Sequence, residues 1–246
     1  MAGRGSVQGS AGGPDLSVAG WVPINMLDWE GRLVTTVFVA GCNFSCPFCH
    51  NPELVSTLTH PATIPFSQVE QHVMAKASWL DGVVLSGGEP TLHPHVMSLA
   101  RRIKALGVGL KLDTNGSKPD VLAEMLQEGL VDYVAMDVKT SLERYPLVAR
   151  RPMSIQAIER SVNLIVDSGV RHEFRTTMVP TYVDRTDALQ IAMTIAGGQS
   201  YVLQQFNPKI TLDPAAHAIE PYSAGYLHSV AEECSRLVPT TVRGTG

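Results

Sequence analysis

Three cysteines share one short stretch: Cys42, Cys46 and Cys49, in the run Ala40-Gly-Cys-Asn-Phe-Ser-Cys-Pro-Phe-Cys-His50. Their C-x3-C-x2-C spacing puts three thiolates on one loop, with the aromatic Phe48 directly before the last. A cubane 4Fe-4S cluster takes four ligands. Held by this loop it would keep one iron without a protein ligand, free to bind and activate a small molecule. Structural zinc is the alternative. Zinc sites bring paired ligands and a clear fourth one. Here the fourth would have to be His50, His60 or the distant Cys234, none at a typical zinc-finger spacing.

Further residues able to do chemistry recur along the chain, each after an apolar run. They are Ser86-Gly-Gly-Glu-Pro90, Asp113-Thr-Asn-Gly116, Asp137-Val-Lys139, Arg175 with Met178 beyond it, and Gln204-Gln-Phe-Asn207. Each also has a plain reading. Gly87-Gly88 and Asn115-Gly116 suit tight turns, where positive φ is needed. Asp137 and Lys139 lie two apart on a strand and face one side, which suits an ion pair. Arg175, flanked by Phe174 and Thr176, is an inward charge in need of a partner, either an anionic ligand or Asp137.

The elements that must position these residues follow from periodicity. Strands are expected at Leu33–Ala40, Gly82–Leu85, Val108–Leu112, Tyr133–Val138, His172–Met178 and Tyr201–Phe206. Between them lie helical patterns at Phe66–Ser78, His95–Leu106, Pro119–Glu128, Ser154–Ser168, Arg185–Ala196 and Tyr222–Arg236, with Val238–Val242 as an edge strand. Ser67 reads as the N-cap of the first helix, with Glu70 three residues on. The fourth carries Ile155, Ile158, Val162, Ile165 and Val166 on one face. Alternating strands and helices imply a parallel sheet with right-handed crossovers. A full eight-unit barrel needs about 250 residues, so the expected α/β fold is a partial, six-unit (β/α)6 TIM-like barrel. An open doubly wound sheet is the runner-up. In either, ligands bind at the C-terminal ends of the strands, where the chemically loaded segments fall. A zinc knuckle would not explain that placement.

Composition sets the class. The chain has 246 residues, 44% hydrophobic and 17% charged, with a net charge of −4. Residues 1–20, rich in Gly, Ser and Ala, read as a flexible tail, and 21–246 as one domain. No basic run marks a nucleic-acid footprint, no apolar stretch approaches a membrane span, and no secretion signal is evident. Four cysteines, three in one loop, suit a reducing, cytoplasmic setting and a metal. Cys234, on a helical pattern beside Ala231 and Leu227, reads as a small buried hydrophobe. No second cysteine group suggests an auxiliary cluster.

Taken together, the cysteine loop and these segments resemble the radical S-adenosylmethionine (SAM) enzymes over most of Trp21 to Pro214. The resemblance implies Cys42, Cys46 and Cys49 as thiolate ligands of a 4Fe-4S cluster, with SAM chelating the fourth iron. Phe48 would lie against the adenine. Gly87, Gly88 and Glu89 look like the GGE element that meets the methionine ammonium. Asp113, Thr114 and Asn115 match an element near the SAM carboxylate and ribose in glycyl-radical-enzyme activases. Asp137 and Lys139 match their D-x-K element, and Arg175 an arginine facing the SAM carboxylate. The Asp113–Asp137 pair is implied as the frame of a monovalent-cation site. Gly41–Leu54, Leu203–Phe206 and Thr211–Pro214 are most similar to the longer activating proteins of anaerobic ribonucleoside-triphosphate reductase. A pyruvate formate-lyase-like partner is the alternative. Reduction by an external one-electron donor such as flavodoxin or ferredoxin is implied. One departure stands out: Asp28-Trp-Glu-Gly31 replaces the usual Asp-aromatic-Pro-Gly, in a segment implied to contact the partner.

Overall fold

The computed structural model describes residues 16–56 and 64–245. The chain opens with β1 (Ser17–Val18), β2 (Gly20–Asn25) and β3 (Val34–Val39), followed by β4 (Ile64–Pro65) and α1 (Phe66–Lys76). A repeating series follows: β5 (Gly82–Gly87), α2 (Val96–Ala105), β6 (Gly109–Thr114), α3 (Pro119–Gln127) and β7 (Tyr133–Asp137). Then come α4 (Tyr145–Ala149), α5 (Ile155–Asp167), β8 (Arg171–Met178), α6 (Arg185–Thr194), β9 (Tyr201–Gln205), α7 (Ala224–Cys234) and β10 (Thr240–Arg243).

One sheet has the order β10-β9-β8-β7-β6-β5-β3-β2, and a two-stranded antiparallel sheet joins β1 to β4. From β3 to β10 every neighbouring pair is parallel, and β2 is antiparallel to β3. The order never reverses along the chain. Right-handed crossovers therefore place all the helices on one face, which separates this sheet from a doubly wound one, whose order reverses. Its two sides curl toward each other: Arg243 of β10 lies 3.7 Å from Glu30, which follows β2. The fold is a partial TIM-like barrel with six βα units. The expected edge strand is present as β10.

Alternation along each strand divides the side chains. Val37, Leu85, Leu112, Met136, Phe174 and Leu203 join the continuous core beneath the helices. Their neighbours in sequence, including Ser86, Asp113, Asp137, Arg175 and Gln204, turn to the barrel interior. On the helices, α5 buries Ile158, Val162 and Ile165, with Ser154 capping its first turn through the Ala157 N–H at 3.2 Å. Cys234 is fully buried at the end of α7.

Two local expectations are corrected. Residues 16–20, assigned by composition to the tail, are part of the structure. Leu16 and Val18 are buried, and the Phe66 N–H donates to the Leu16 carbonyl at 2.6 Å. Apolar residues at these two positions supply the burial that the Gly/Ser/Ala average obscures; residues 1–15 lie outside the described residues. Pro65, not Ser67, occupies the N-cap of α1, because the β1–β4 pairing sets where the helix begins. Glu70 pairs instead with Arg102 of α2, Oε1 accepting from Nε at 2.6 Å.

The Asp28–Gly31 turn sits at the floor of the barrel, opposite the cysteine loop. A Cβ on Gly82 or Gly109, the first residues of β5 and β6, would come 2.8 and 3.2 Å from the Trp29 ring. The absence of side chains there is what admits the indole. Among the described residues no helix is long and apolar enough to cross a membrane.

Candidate cofactor site

A cavity of about 380 Å³ opens at the C-terminal ends of the strands. Its wall contains Cys42, Cys46, Phe48, Cys49, Gly87, Gly88, Glu89, Asp113, Thr114, Asn115, Asp137, Lys139 and Arg175. Residues separated by more than 130 positions in sequence are thus brought to one space, each by the strand it follows.

The cysteine loop leaves β3 and is fixed mainly through its backbone. The Gly41 N–H donates to the Leu54 carbonyl at 2.7 Å, Cys42 N–H to Val55 at 3.1 Å, and Ser45 N–H to Ala149 at 2.7 Å. Phe44 is buried with its ring edge-on to Tyr145, and the Tyr145 hydroxyl accepts from the Lys139 N–H at 3.1 Å. Phe48 is also buried, its ring centroid 5.6 Å from that of Tyr182. Two apolar anchors therefore hold the three thiols in place. Burial pushes the Cys42 thiol up to about 11 and Cys46 to about 12, and raises Cys49 as well, against the opposing influence of Lys139. Such thiols release their protons when a metal supplies compensating positive charge. Among the described residues no group of three His, Cys, Asp or Glu side chains is placed to hold a single ion. A cubane instead spreads its thiolates over separate irons.

Gly87 and Gly88 bind the second strand end to this loop. Gly87 has φ of 131°, and a Cβ there would lie 2.2 Å from the Val39 carbonyl oxygen; on Gly88 it would lie 2.3 Å from that of Gly41. The Gly88 and Glu89 N–H groups donate to those same carbonyls at 2.9 and 2.8 Å. These glycines let backbone meet backbone. Glu89 is 1% exposed and ties in the third strand end. Its Oε1 accepts from Thr91 N at 3.1 Å, Thr91 Oγ1 at 2.5 Å and Thr114 Oγ1 at 2.7 Å, and its Oε2 from Asn115 N at 2.6 Å. Burial raises its pKa, against the pull of these bonds. The carboxylate expected to face a ligand is thus largely an internal clamp, with acceptor capacity left on Oε2.

The opposite wall is charged. Arg175 Nε lies 2.8 Å from Asp137 Oδ1, its Nη1 3.4 Å from Asp113 Oδ2, and Lys139 Nζ 3.0 Å from Asp137 Oδ2. Asp137 and Lys139 do form the ion pair that their spacing allows, and Asp137 is a partner of Arg175. Burial opposes charge on Asp137, but Arg175 and Lys139 outweigh it and hold the carboxyl below its ordinary range. Between Asp113 and Asp137, where the resemblance implies a monovalent cation, the positive charge is the Arg175 guanidinium. Among the described residues Asp113 Oδ1 is buried without a hydrogen-bond partner, although the Lys111 ammonium stands 3.5 Å away.

Sequence reasoning missed Lys111 and Glu173, which lie 3.5 Å apart inside the barrel. Alternation could have found both, since each stands two residues before a selected one, Asp113 or Arg175. It also missed Asn43, whose Oδ1 accepts from Asn115 Nδ2 at 3.1 Å. Only the packing of two loops reveals that contact.

The donor set fits a three-thiolate cluster and a ligand carrying both charges of an amino acid. Three thiols share a loop, and cations and carboxylates line one wall. The radical SAM superfamily model matches residues 36–220. A Methanocaldococcus jannaschii protein, provisionally named a glycyl-radical enzyme activating enzyme, is 34% identical over 201 residues, covering 80% of this chain and 82% of its own. In fold, the chain resembles SuiB of Streptococcus suis, solved with S-adenosylmethionine (TM-score 0.65, 13% identity). That match covers 82% of this chain and 48% of the longer SuiB. It also resembles QueE of Escherichia coli (TM-score 0.55, 14% identity), covering 92% and 93% of the two chains. With the family model spanning most of the chain and the thiol loop at the mouth of its barrel, this protein belongs to the radical SAM superfamily, enzymes whose cofactors are a 4Fe-4S cluster and S-adenosylmethionine.

Proposed function

We propose that the chain is a glycyl-radical-enzyme activase, an oxidoreductase acting on a protein partner. The observation that carries this reading is the 34% identity to the M. jannaschii protein, sustained over four-fifths of both chains. A cluster bound there would supply, once reduced, the one electron needed to cleave SAM and so the means of taking a hydrogen atom from a glycine α-carbon of the partner. The chain's own work is to bind and orient. Cys42, Cys46 and Cys49 hold the cluster. The remaining acceptor capacity of Glu89, on the turn made by Gly87 and Gly88, serves the ammonium of SAM. Lys139 and Arg175, already balanced by Asp137, serve its carboxylate. Phe48 and the Asp113-Thr114-Asn115 segment border the adenosine.

For the partner we propose an anaerobic ribonucleoside-triphosphate reductase, on the likeness of the Gly41–Leu54 loop and the Leu203–Phe206 and Thr211–Pro214 segments to activators of that enzyme. A flavodoxin or ferredoxin would supply the electron. The test is anaerobic activation of such a reductase with dithionite and SAM, read by electron paramagnetic resonance. A glycyl radical on the reductase supports the full reading. 5′-Deoxyadenosine without that radical, and with a radical on a pyruvate formate-lyase-like enzyme, keeps the activase and replaces the partner.

A further inference from the structure

Asn115 is held from three directions. Its N–H donates to Glu89 Oε2 at 2.6 Å, which fixes the backbone. Its Oδ1 accepts from the Ser117 N–H at 2.9 Å, which fixes the orientation of the amide. The Nδ2 group is thereby turned to the cysteine loop, 3.1 Å from Asn43 Oδ1 and 3.8 Å from Cys42 Sγ. The Phe44 N–H approaches the same sulfur at 3.4 Å. Cys42 thus has two donors converging on it, one from its own loop and one from the end of β6.

We propose that Asn115 is a positioning residue for the cluster, donating to the Cys42 sulfur and raising the cluster's reduction potential. A thiolate ligand on a reduced cluster carries more negative charge than on an oxidised one. A donor to that sulfur therefore stabilises the reduced form more. Glu89 acts one step further out, by clamping the backbone that carries the amide. This role presupposes that Cys42 ligates the cluster and is independent of the partner enzyme.

The experiment is a redox titration of the reconstituted cluster without SAM, followed by electron paramagnetic resonance, with iron and sulfide counted for each protein. Asn115→Ala is expected to hold a full cluster and to shift the midpoint negative, so that the reduced fraction at the wild-type midpoint falls severalfold. Ser117→Ala removes a hydroxyl that also meets Asn43, at 3.2 Å, but keeps the N–H that orients the amide; it is expected to leave the midpoint in place. Should Asn115→Ala load poorly, Asn115→Leu keeps most of the side-chain volume and loses the donor to sulfur without adding charge, and the same negative shift is expected. An unmoved midpoint in a fully loaded Asn115 variant, or an equal shift in Ser117→Ala, overturns the proposal. Wild-type protein that loads no cluster removes the ligand assignment, and this role with it.

Discussion

At the floor of the barrel, Lys111 donates to the Asp28 carbonyl at 2.5 Å, Glu173 meets Arg243 at 3.0 Å, and the Trp29 indole fills the space left by Gly82 and Gly109. At the mouth, Arg175, Asp137 and Lys139 pair just as closely, yet around them are three thiols, one of them buried, and open volume, while Asp113 Oδ1, facing Lys111, is left without a hydrogen bond between the two ends. Both ends inherit their polarity from one alternation on the same strands. Polarity inside a barrel therefore does not mark a site. What marks it is polar capacity left unmet beside space for a ligand, since a buried polar group without a partner is costly.

That contrast is open to direct attack, and the largest effect is expected at the mouth. Cys46→Ala should abolish cluster assembly, taking iron and sulfide content after anaerobic reconstitution to background and ending 5′-deoxyadenosine formation. Next comes Gly88→Ala. The added methyl must displace the Gly41 carbonyl, and a misplacement of about 1 Å costs about 100-fold in rate. Product formation per loaded cluster should drop by that order while the circular dichroism spectrum stays native. At the floor, where Trp29 is half-buried, Trp29→Ala should cost about 3 kcal/mol in urea unfolding, the low end for removing a Trp ring, with product formation per loaded cluster unchanged. A rate loss there as large as that of Gly88→Ala would erase the distinction between the two ends.

The smallest effect concerns acid. The Asp137 carboxyl is held below its ordinary value of 3.8 in the folded protein. The unfolded chain thus takes up a proton at that position before the folded one does. The stability this supplies is complete above the ordinary value and is lost as pH falls from there toward the folded value. Asp137→Asn should flatten the acid limb of the stability curve, measured by urea unfolding of metal-free protein between neutral and acid pH. An unchanged slope would show that Arg175 and Lys139 do not hold Asp137 as their distances indicate.

Much of this layout was legible in the sequence, because local pattern and fold chemistry agree. Apolar runs interrupted by Gly, Asp and Asn marked where strands end, and parallel α/β topology turns strand ends into neighbours. Hence Cys42, Glu89, Asp113, Asp137 and Arg175, scattered along the chain, could be assigned to one place before any coordinate was known. The less legible features depend on what lies across a gap. Glycine in Gly87-Gly88 signals close approach, but only the structure identifies the approaching group as the backbone of Val39 and Gly41. A glutamate in a turn signals a carboxylate, but not that Thr91, Thr114 and Asn115 occupy it. Asp28-Trp-Glu-Gly31 read as a departure in a partner-facing segment; the small residues it packs against, Gly82 and Gly109, lie over fifty positions away.

The hydrogen bonds among the first three strand-end loops carry a consequence for engineering. In most singly wound barrels each loop hangs on its own βα unit, so loops can be exchanged one at a time between relatives. Here Gly88 and Glu89 are bonded to Val39 and Gly41, and Asn115 to both Glu89 and Asn43. A graft that moved the cysteine loop alone would leave the incoming carbonyls without matching N–H donors at the host's Gly88 and Glu89 positions. The transplantable module is therefore larger than one loop: it takes in the trio after β3, β5 and β6, the segment after β7, whose Ala149 carbonyl accepts from Ser45, and the segment after β9, whose Asp213 N–H donates to the Pro47 carbonyl at 2.9 Å.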